Sequence, residues 1–383
     1  MKAIVTLGNG HFELKDVQTP RASAGEMLVK VAATAQNPVD WKTALLHKKP
    51  ENILGCDFAG TVVEVGPEVP ETLRHKGERV AGCIQGGVAP NGAFAEYVVM
   101  EAALAISLPD SVTFEEGAQL GIACFTSCLA LYRCLKLPTP DCPATELIPM
   151  LIWSGTSATG QYAIQFAKLS GLRVITTASP KHFDLVRSLG ADEVYDYADS
   201  KTPRKIFAAT GGTLRHAIDC ISQDRTPNQV STSLSKEGGN IATLLPYVSR
   251  SKGVQTQLIL AYTILGKEIT FPFAHPAVEE DHQSAVEYAQ LISKLLSQGK
   301  IKHTRINLFP HGLQSVKDGF EYMGAGKVTV FHLSVKTRPD IAVMRSMRKR
   351  SRTGSQTLRA WIPDYSVQRS LLSAPVAVYA VAM

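Results

Sequence analysis

A strand, a turn of small residues and a helix in direct succession, residues 147–170, restrict the possible fold of this chain more than any other stretch. Leu147 to Trp153 is an apolar run, Ser154-Gly155-Thr156-Ser157-Ala158-Thr159-Gly160 follows, and Gln161 to Ser170 has amphipathic helical spacing. Leu172 to Thr177 reads as a second strand, which completes a βαβ unit. A turn at that place offers backbone N–H groups and the positive end of a helix dipole, so it suits a pyrophosphate if its side chains are small. Gly155 and Gly160 keep the outer glycines of G-x-G-x-x-G, while Ser157 replaces the middle one with a hydroxyl. Alone, the pattern fits an ordinary βα turn with a solvated basic helix start as well as it fits a dinucleotide site. The end of the second strand favours the site. NAD-binding proteins place an acid about 20 residues past the turn for the ribose hydroxyl. Here Ser179, Lys181 and His182 offer donors and no acid, which suits a 2′-phosphate and therefore NADPH.

The rest of the chain is ample for a second domain: 383 residues, 45% hydrophobic and 19% charged. No apolar run reaches the roughly 18 residues of a membrane span, and Met1 to Gly8 reads as a first strand rather than a leader. No membrane association and a cytoplasmic location are the expectation. Seven cysteines without a C-x-x-C pair argue against a disulfide framework or a structural zinc site, and Cys124 and Cys128 read as small buried hydrophobes. The net charge of +6 resides after Lys336, where eight Lys/Arg face two acids. The body is neutral, so no nucleic-acid partner is expected of it. The basic run Met344 to Arg352 reads as an unstructured extension in preference to an RNA-binding or targeting tail.

Residues 1 to about 105 read as short strands: Met27 to Ala35, Gly60 to Gly66, one entered from Gly77 to Gly82, and Gly92 to Val99. Their spacing suggests a partly open β-barrel. Thr113 with Glu116 forms a capping box that opens a helical region with a break near Gly121. After the βαβ unit, Lys181 to Leu189, Arg204 to Thr210 and Thr226 to Leu234 read as helices. They alternate with strands Glu193 to Tyr197, Arg215 to Ile221 and Gly239 to Leu245, the pitch of a doubly wound parallel sheet. A long amphipathic helix spans 278–298, and strands at 301–309 and 327–334 flank a helix at 311–323.

Along nearly all of residues 1–335 the sequence resembles the medium-chain dehydrogenase/reductase superfamily, and within it the zinc-independent, trans-acting enoyl reductases of fungal polyketide synthase pathways. The resemblance rests on Gln36-Asn37-Pro38-Val39-Asp40-Trp41-Lys42, on Leu54-Gly55-Cys56-Asp57-Phe58-Ala59-Gly60, on the 155–160 turn with Gln165-Phe166-Ala167-Lys168, and on Ala178 to Leu185 with Leu189 to Tyr197. It implies an α/β fold: a GroES-like partly open β-barrel domain for substrate and catalysis (1–125 and 270–336) and a Rossmann NADPH domain (126–269); it gives no account of residues 337–383, which read from their composition as a disordered basic extension. The superfamily's metal enzymes carry a zinc-binding Cys in the Asn37 to Asp40 segment and Gly-His-Glu at Gly55-Cys56-Asp57, so metal-free chemistry is implied.

Conjugate reduction suits such a site, because hydride delivered to the β-carbon of an unsaturated thioester spreads charge into an enolate that needs only a hydrogen-bond donor and a proton. The resemblance places Asp40, Trp41, Lys42 and Thr43 at the nicotinamide end, and Thr126 on the carboxamide. Thr156, Ser157, Ala158 and Thr159 would take the pyrophosphate, and Ser179, Pro180, Lys181 and His182 the 2′-phosphate. Tyr197 would lie along the adenosine, with Leu244, Leu245, Lys327 and Val328 closing over the cofactor. Substrate would run along Leu120, Gly121, Ile122, Ala123, Cys124, Phe125, Thr126 and Ser127, and along Leu260, Ala261, Tyr262, Thr263 and Ile264. Lys42, Thr126 and Tyr262 are the catalytic candidates, Lys42 as oxyanion donor and Tyr262 as proton donor. Lys42 has a lesser reading as a surface lysine and Tyr197 one as core packing, while by composition alone the 260–264 run, Tyr262 included, is ordinary core. Pro38 stands where many related enoyl reductases have a Tyr, which leaves solvent as a competing proton source. The expected partner is a separate polyketide synthase carrying the acyl chain, with the reductase itself a monomer. A free-standing NADPH quinone or enone reductase, or a non-catalytic NADPH-binding protein, are the other readings.

Overall fold

The computed structural model describes residues 1–328 and 331–337. Among them six strands form a parallel sheet in the spatial order Glu193–Asp196, Arg173–Ala178, Pro149–Trp153, His216–Asp219, Gly239–Thr243, Val254–Leu258. Pro149–Trp153 comes first in sequence yet stands inside the sheet, so the direction of growth reverses between it and His216–Asp219. Open α/β sheets bind ligands at the carboxyl ends of strands at such a reversal, and the 154–160 turn leaves from that end. The predicted alternation of strands and helices is present. The edge strand Val254–Leu258 was not anticipated, although Val254, Thr256 and Leu258 alternate with Gln255 and Gln257 in the period of a half-buried strand.

The second sheet is centred on Glu26–Gln36, which pairs along its length with Asp57–Val65, Tyr97–Glu101 and Phe331–Lys336. Register shifts at Leu28/Val29 and Val31/Ala33 bend that strand, and bending lets it serve three neighbours in a partly open barrel. The strand expected at 92–99 begins only at Tyr97. Phe94 N–H instead donates to the Leu54 carbonyl at 2.9 Å while Ile4 N–H donates to the Phe94 carbonyl at 2.8 Å, which ties that stretch between two other segments. A hairpin of Lys2–Gly8 and His11–Asp16 covers one side.

Thr113 and Glu116 form the expected capping box, but the helix is short, Phe114–Gly117, and a second helix, Gly121–Cys128, follows the break. One apolar cluster runs from Val31 and Phe58 of the bent sheet through Phe125 to Phe166 of helix Ala158–Leu169 and Ile152 of the parallel sheet. Helix Gly121–Cys128 therefore sits between the two sheets. Among the described residues no helix is long and apolar enough to cross a membrane. The expectation of an unstructured basic tail falls on residues 338–383, outside the described residues.

Candidate active site

The turn is held by its own backbone and by the next strand. Ser154 takes a left-handed φ of 67°; its N–H donates to Thr177 Oγ1 at 2.9 Å and Gly155 N–H to the Thr177 carbonyl at 2.9 Å. A Cβ on Gly155 would meet Thr176 Oγ1 and lie 2.7 Å from Ile164 Cδ1, and one on Gly160 would meet the Ser154 carbonyl. The two retained glycines are thus the ones with no room for a side chain. Ser157, at the position of the missing glycine, caps helix Ala158–Leu169: its Oγ accepts from Gly160 N–H at 3.0 Å and donates to the Ser154 carbonyl at 2.9 Å. The first N–H groups of that helix have no carbonyl partner within it, and Thr156, Ser157, Ala158 and Thr159 are all partly exposed. This edge can receive an anion.

Beyond strand Arg173–Ala178, Ser179 Oγ donates to Tyr197 Oη at 3.3 Å, which joins two of the predicted adenosine-side residues. Pro180 and Lys181 are exposed, Tyr197 is half exposed, and His182 is partly covered with its Nε2 buried and unpartnered. Burial holds the His182 imidazole below its ordinary pKa, and the charges of Lys181 and Arg305 push it further down. Arg305 was not anticipated. It opens strand Arg305–Phe309, more than a hundred residues away in sequence, and reaches this corner because Lys302 is pinned there. Lys302 N–H donates to Gln165 Oε1 at 2.7 Å and its carbonyl accepts from Gln165 Nε2 at 3.0 Å. Among the described residues no acid is ion-paired with Lys181 or Arg305, and the charges of both bear on His182.

The opposite end is built around two buried carboxylates. Asn37-Pro38-Val39-Asp40 is a helix start, with Asn37 as N-cap, proline at the first helical position and an acid at the third; helix Pro38–Leu46 carries Trp41, Lys42 and Thr43. That helix was not predicted, although those three residues are its signal. Asn37 N–H donates to Asp40 Oδ2 at 2.7 Å, and Asn37 Nδ2 donates to Asp57 Oδ2 at 2.8 Å. Asp57 Oδ1 accepts Ile122 N–H at 2.8 Å, at the N-terminus of helix Gly121–Cys128. Cys56 Sγ lies 2.8 Å from Tyr262 Oη. Burial raises Asp40 to about 7, opposed by the nearby Cys56 thiol and by the N–H groups of Asn37 and Cys56. Asp40 Oδ1 itself has no partner of normal hydrogen-bond geometry. Burial likewise raises Asp57 to about 8, opposed by the donors from Asn37 and Ile122 and assisted by the charge of Asp40. Near neutral pH both carboxyls are poised between protonated and ionised.

The three catalytic candidates meet this network from different sides. Thr126 follows Ile122 by one helical turn, and its Oγ1 is buried with no partner. Lys42 is partly buried beside the Trp41 ring, 5.9 Å from its centroid, and burial lowers its pKa. The Tyr262 phenol is buried against Cys56, and burial raises it well above its ordinary value. Leu120, Gly121, Ile122, Ala123, Cys124, Phe125 and Ser127 are all buried, as are Leu260, Ala261, Thr263 and Ile264. These stretches form packed walls, with little side-chain surface open. Ser127 Oγ donates to the Thr159 carbonyl at 3.0 Å, so this wall touches the 154–160 turn directly. Leu244 is buried, its N–H donating to Ser222 Oγ at 2.8 Å, and Leu245 is partly exposed beside it. Lys327 is exposed over the Tyr322 ring, and Val328 is partly exposed.

A zinc site requires about three converging ligands and an open position. Among the described residues no three His, Cys, Asp or Glu side chains gather to hold a metal, and the Cys56 thiol is engaged with Tyr262 and Asp40. The donor set does not fit the metal. A dinucleotide fits better: the anion-ready turn, the corner with Lys181 and Arg305 and the orphaned Thr126 hydroxyl are the features it would use.

The alcohol dehydrogenase GroES-like domain family matches residues 23–110 and the zinc-binding dehydrogenase family matches residues 158–266. The trans-enoyl reductase ACTTS2 of Alternaria alternata is 35% identical over 340 residues, 88% of this chain and 98% of the relative. The trans-enoyl reductase fsa3 of a Fusarium species is 38% identical over 338 residues, 85% of this chain and 96% of the relative. A mycobacterial protein solved in complex with NADPH shares the fold at a TM-score of 0.69 and 22% identity, covering 88% of this chain and all of its own.

Proposed function

Because this chain belongs to the trans-enoyl reductases of the medium-chain dehydrogenase/reductase superfamily, oxidoreductases acting on a CH–CH bond, we propose that it reduces an α,β-unsaturated polyketide thioester carried by a separate synthase, with NADPH, in secondary-metabolite biosynthesis. The observation that carries the reading is the Thr126 hydroxyl, buried and unpartnered on the helix that touches the pyrophosphate turn. A buried polar atom without a partner is costly, and an amide placed there relieves it. Bound NADPH supplies hydride to the substrate β-carbon. Thr126 would hold the carboxamide and so orient the nicotinamide. Lys42 stands as the donor for the enolate oxygen, and its partial burial strengthens that interaction relative to water. Ser179, Lys181 and His182, the donors that follow strand Arg173–Ala178, select the 2′-phosphate. The proton at the α-carbon comes from Tyr262 or from solvent.

The test is NADPH oxidation by purified protein supplied with α,β-unsaturated pantetheine thioesters of graded chain length. Turnover that rises with chain length or with carrier tethering is the expected result. No turnover on any thioester would overturn the reading, and faster turnover of small quinones or enones would replace it with a free-standing reductase.

A further inference from the structure

Asp57 touches both walls of the nicotinamide end. Through Oδ2 it accepts from Asn37 Nδ2 at 2.8 Å, and Asn37 caps the helix that carries Lys42. Through Oδ1 it accepts from Ile122 N–H at 2.8 Å, one helical turn before Thr126 on the same helix face. Gly121 leaves room for this contact: a Cβ there would meet Asp57 Oδ1 and lie 2.8 Å from Cys83 Cβ. The carboxylate is wholly buried, so water does not substitute for either bond. Two short hydrogen bonds from one rigid group fix a distance, because neither helix can shift without stretching a bond to a buried acceptor.

We propose that Asp57 is a positioning residue for hydride transfer: its carboxyl group sets the separation between the helix bearing Lys42 and the helix bearing Thr126. The proposal rests on the reading of those two side chains as neighbours of the nicotinamide and substrate carbonyl. Hydride transfer needs the donor and acceptor carbons in near-attack geometry, and a displacement of about 1 Å costs on the order of a hundredfold in rate. Cofactor affinity depends mainly on the pyrophosphate turn and the 2′-phosphate corner, which Asp57 does not touch. The signature of a positioning role is therefore a fall in kcat with little change in the affinity for NADPH.

Two variants disturb the same contact in different ways. Asp57→Asn keeps an acceptor for Ile122 N–H but turns an amide N–H2 towards Asn37 Nδ2; Gly121→Ala keeps the carboxylate and pushes it aside. Full-length variants are compared with Val230→Ala, which weakens a core remote from these helices. Both test variants should lower kcat about 10- to 100-fold with the NADPH KM within about threefold, and should raise the primary isotope effect with 4-deuterated NADPH. In the absence of substrate, the emission maximum of bound NADPH should shift in both at unchanged affinity. The proposal is overturned if kcat falls only as far as in Val230→Ala at matched stability, or if emission and isotope effect stay at wild-type values. Wild-type protein that binds NADPH but turns over no thioester would sink the substrate reading alone, and the emission comparison would still decide the role of Asp57.

Discussion

The 154–160 turn and the Asp57 network are made of different materials. The turn is backbone: two glycines without room for a Cβ, one serine cap and the free end of a helix, all within seven consecutive residues. The network is buried side chains, two of them carboxyls that accept backbone N–H groups, drawn from four separated segments around residues 37–40, 56–57, 121–126 and 262, and it works only when all are buried together. The difference teaches where each end is vulnerable. A backbone site resists titration and side-chain exchange but not an added atom at its glycines. A buried polar network tolerates no lost partner and responds to pH.

The largest effect expected from this contrast is on pH-dependent stability. Asp40 rises from 3.8 to about 7 on folding and Asp57 to about 8, so over that window the folded chain holds protons that the unfolded chain has released. Their contribution is complete below about pH 4 and is lost as pH rises through the folded values, with a slope approaching about 1.4 kcal/mol per pH unit for each group. Urea titrations from pH 4 to 8 should show a shallower decline for Asp40→Asn than for wild type. Parallel curves would mean that Asp40 is not the group that titrates.

A smaller effect in energy, but a complete one in function, is expected at the turn. Gly155→Val sets a branched side chain against Thr176 and Ile164, costs about 1–3 kcal/mol in overpacking, and should abolish NADPH binding as read by cofactor fluorescence. Retained binding would show that the turn has slack the close contacts deny. Smallest of the three is the corner. Lys181→Glu should raise the KM for NADPH about tenfold or more, the scale of a hydrogen bond to a charged group, and leave NADH unchanged. Arg305→Gln should act in the same direction and less, since Arg305 reaches the corner from a strand of the other sheet. Equal effects of Lys181→Glu on both cofactors would remove the 2′-phosphate assignment.

Much of this was legible in the chain because it is local. The 147–170 unit, the capping box at Thr113 and the alternating elements from 181 to 245 all depend on residues within a few positions of one another, and helical or strand periodicity exposes them. Helix Pro38–Leu46 and strand Val254–Leu258 carried equally local signals that went unread. The family resemblance indicated Lys42, Thr126 and Tyr262 without indicating how they are held.

What the sequence alone determined is the backbone site: a turn whose geometry follows from which residues lack side chains, set between a strand and a helix that their own periodicity defines. What tertiary structure decided is the meeting of distant groups. Arg305 adds its charge beside His182 because Lys302 binds Gln165. Asp57 joins the Lys42 and Thr126 helices because Gly121 leaves space at one helix end. Burial, assisted at Asp57 by the charge of Asp40, moves two ordinary carboxyls into the neutral range. Desolvation and long-range contact are properties of packed volume, and a linear chain does not display them until it folds.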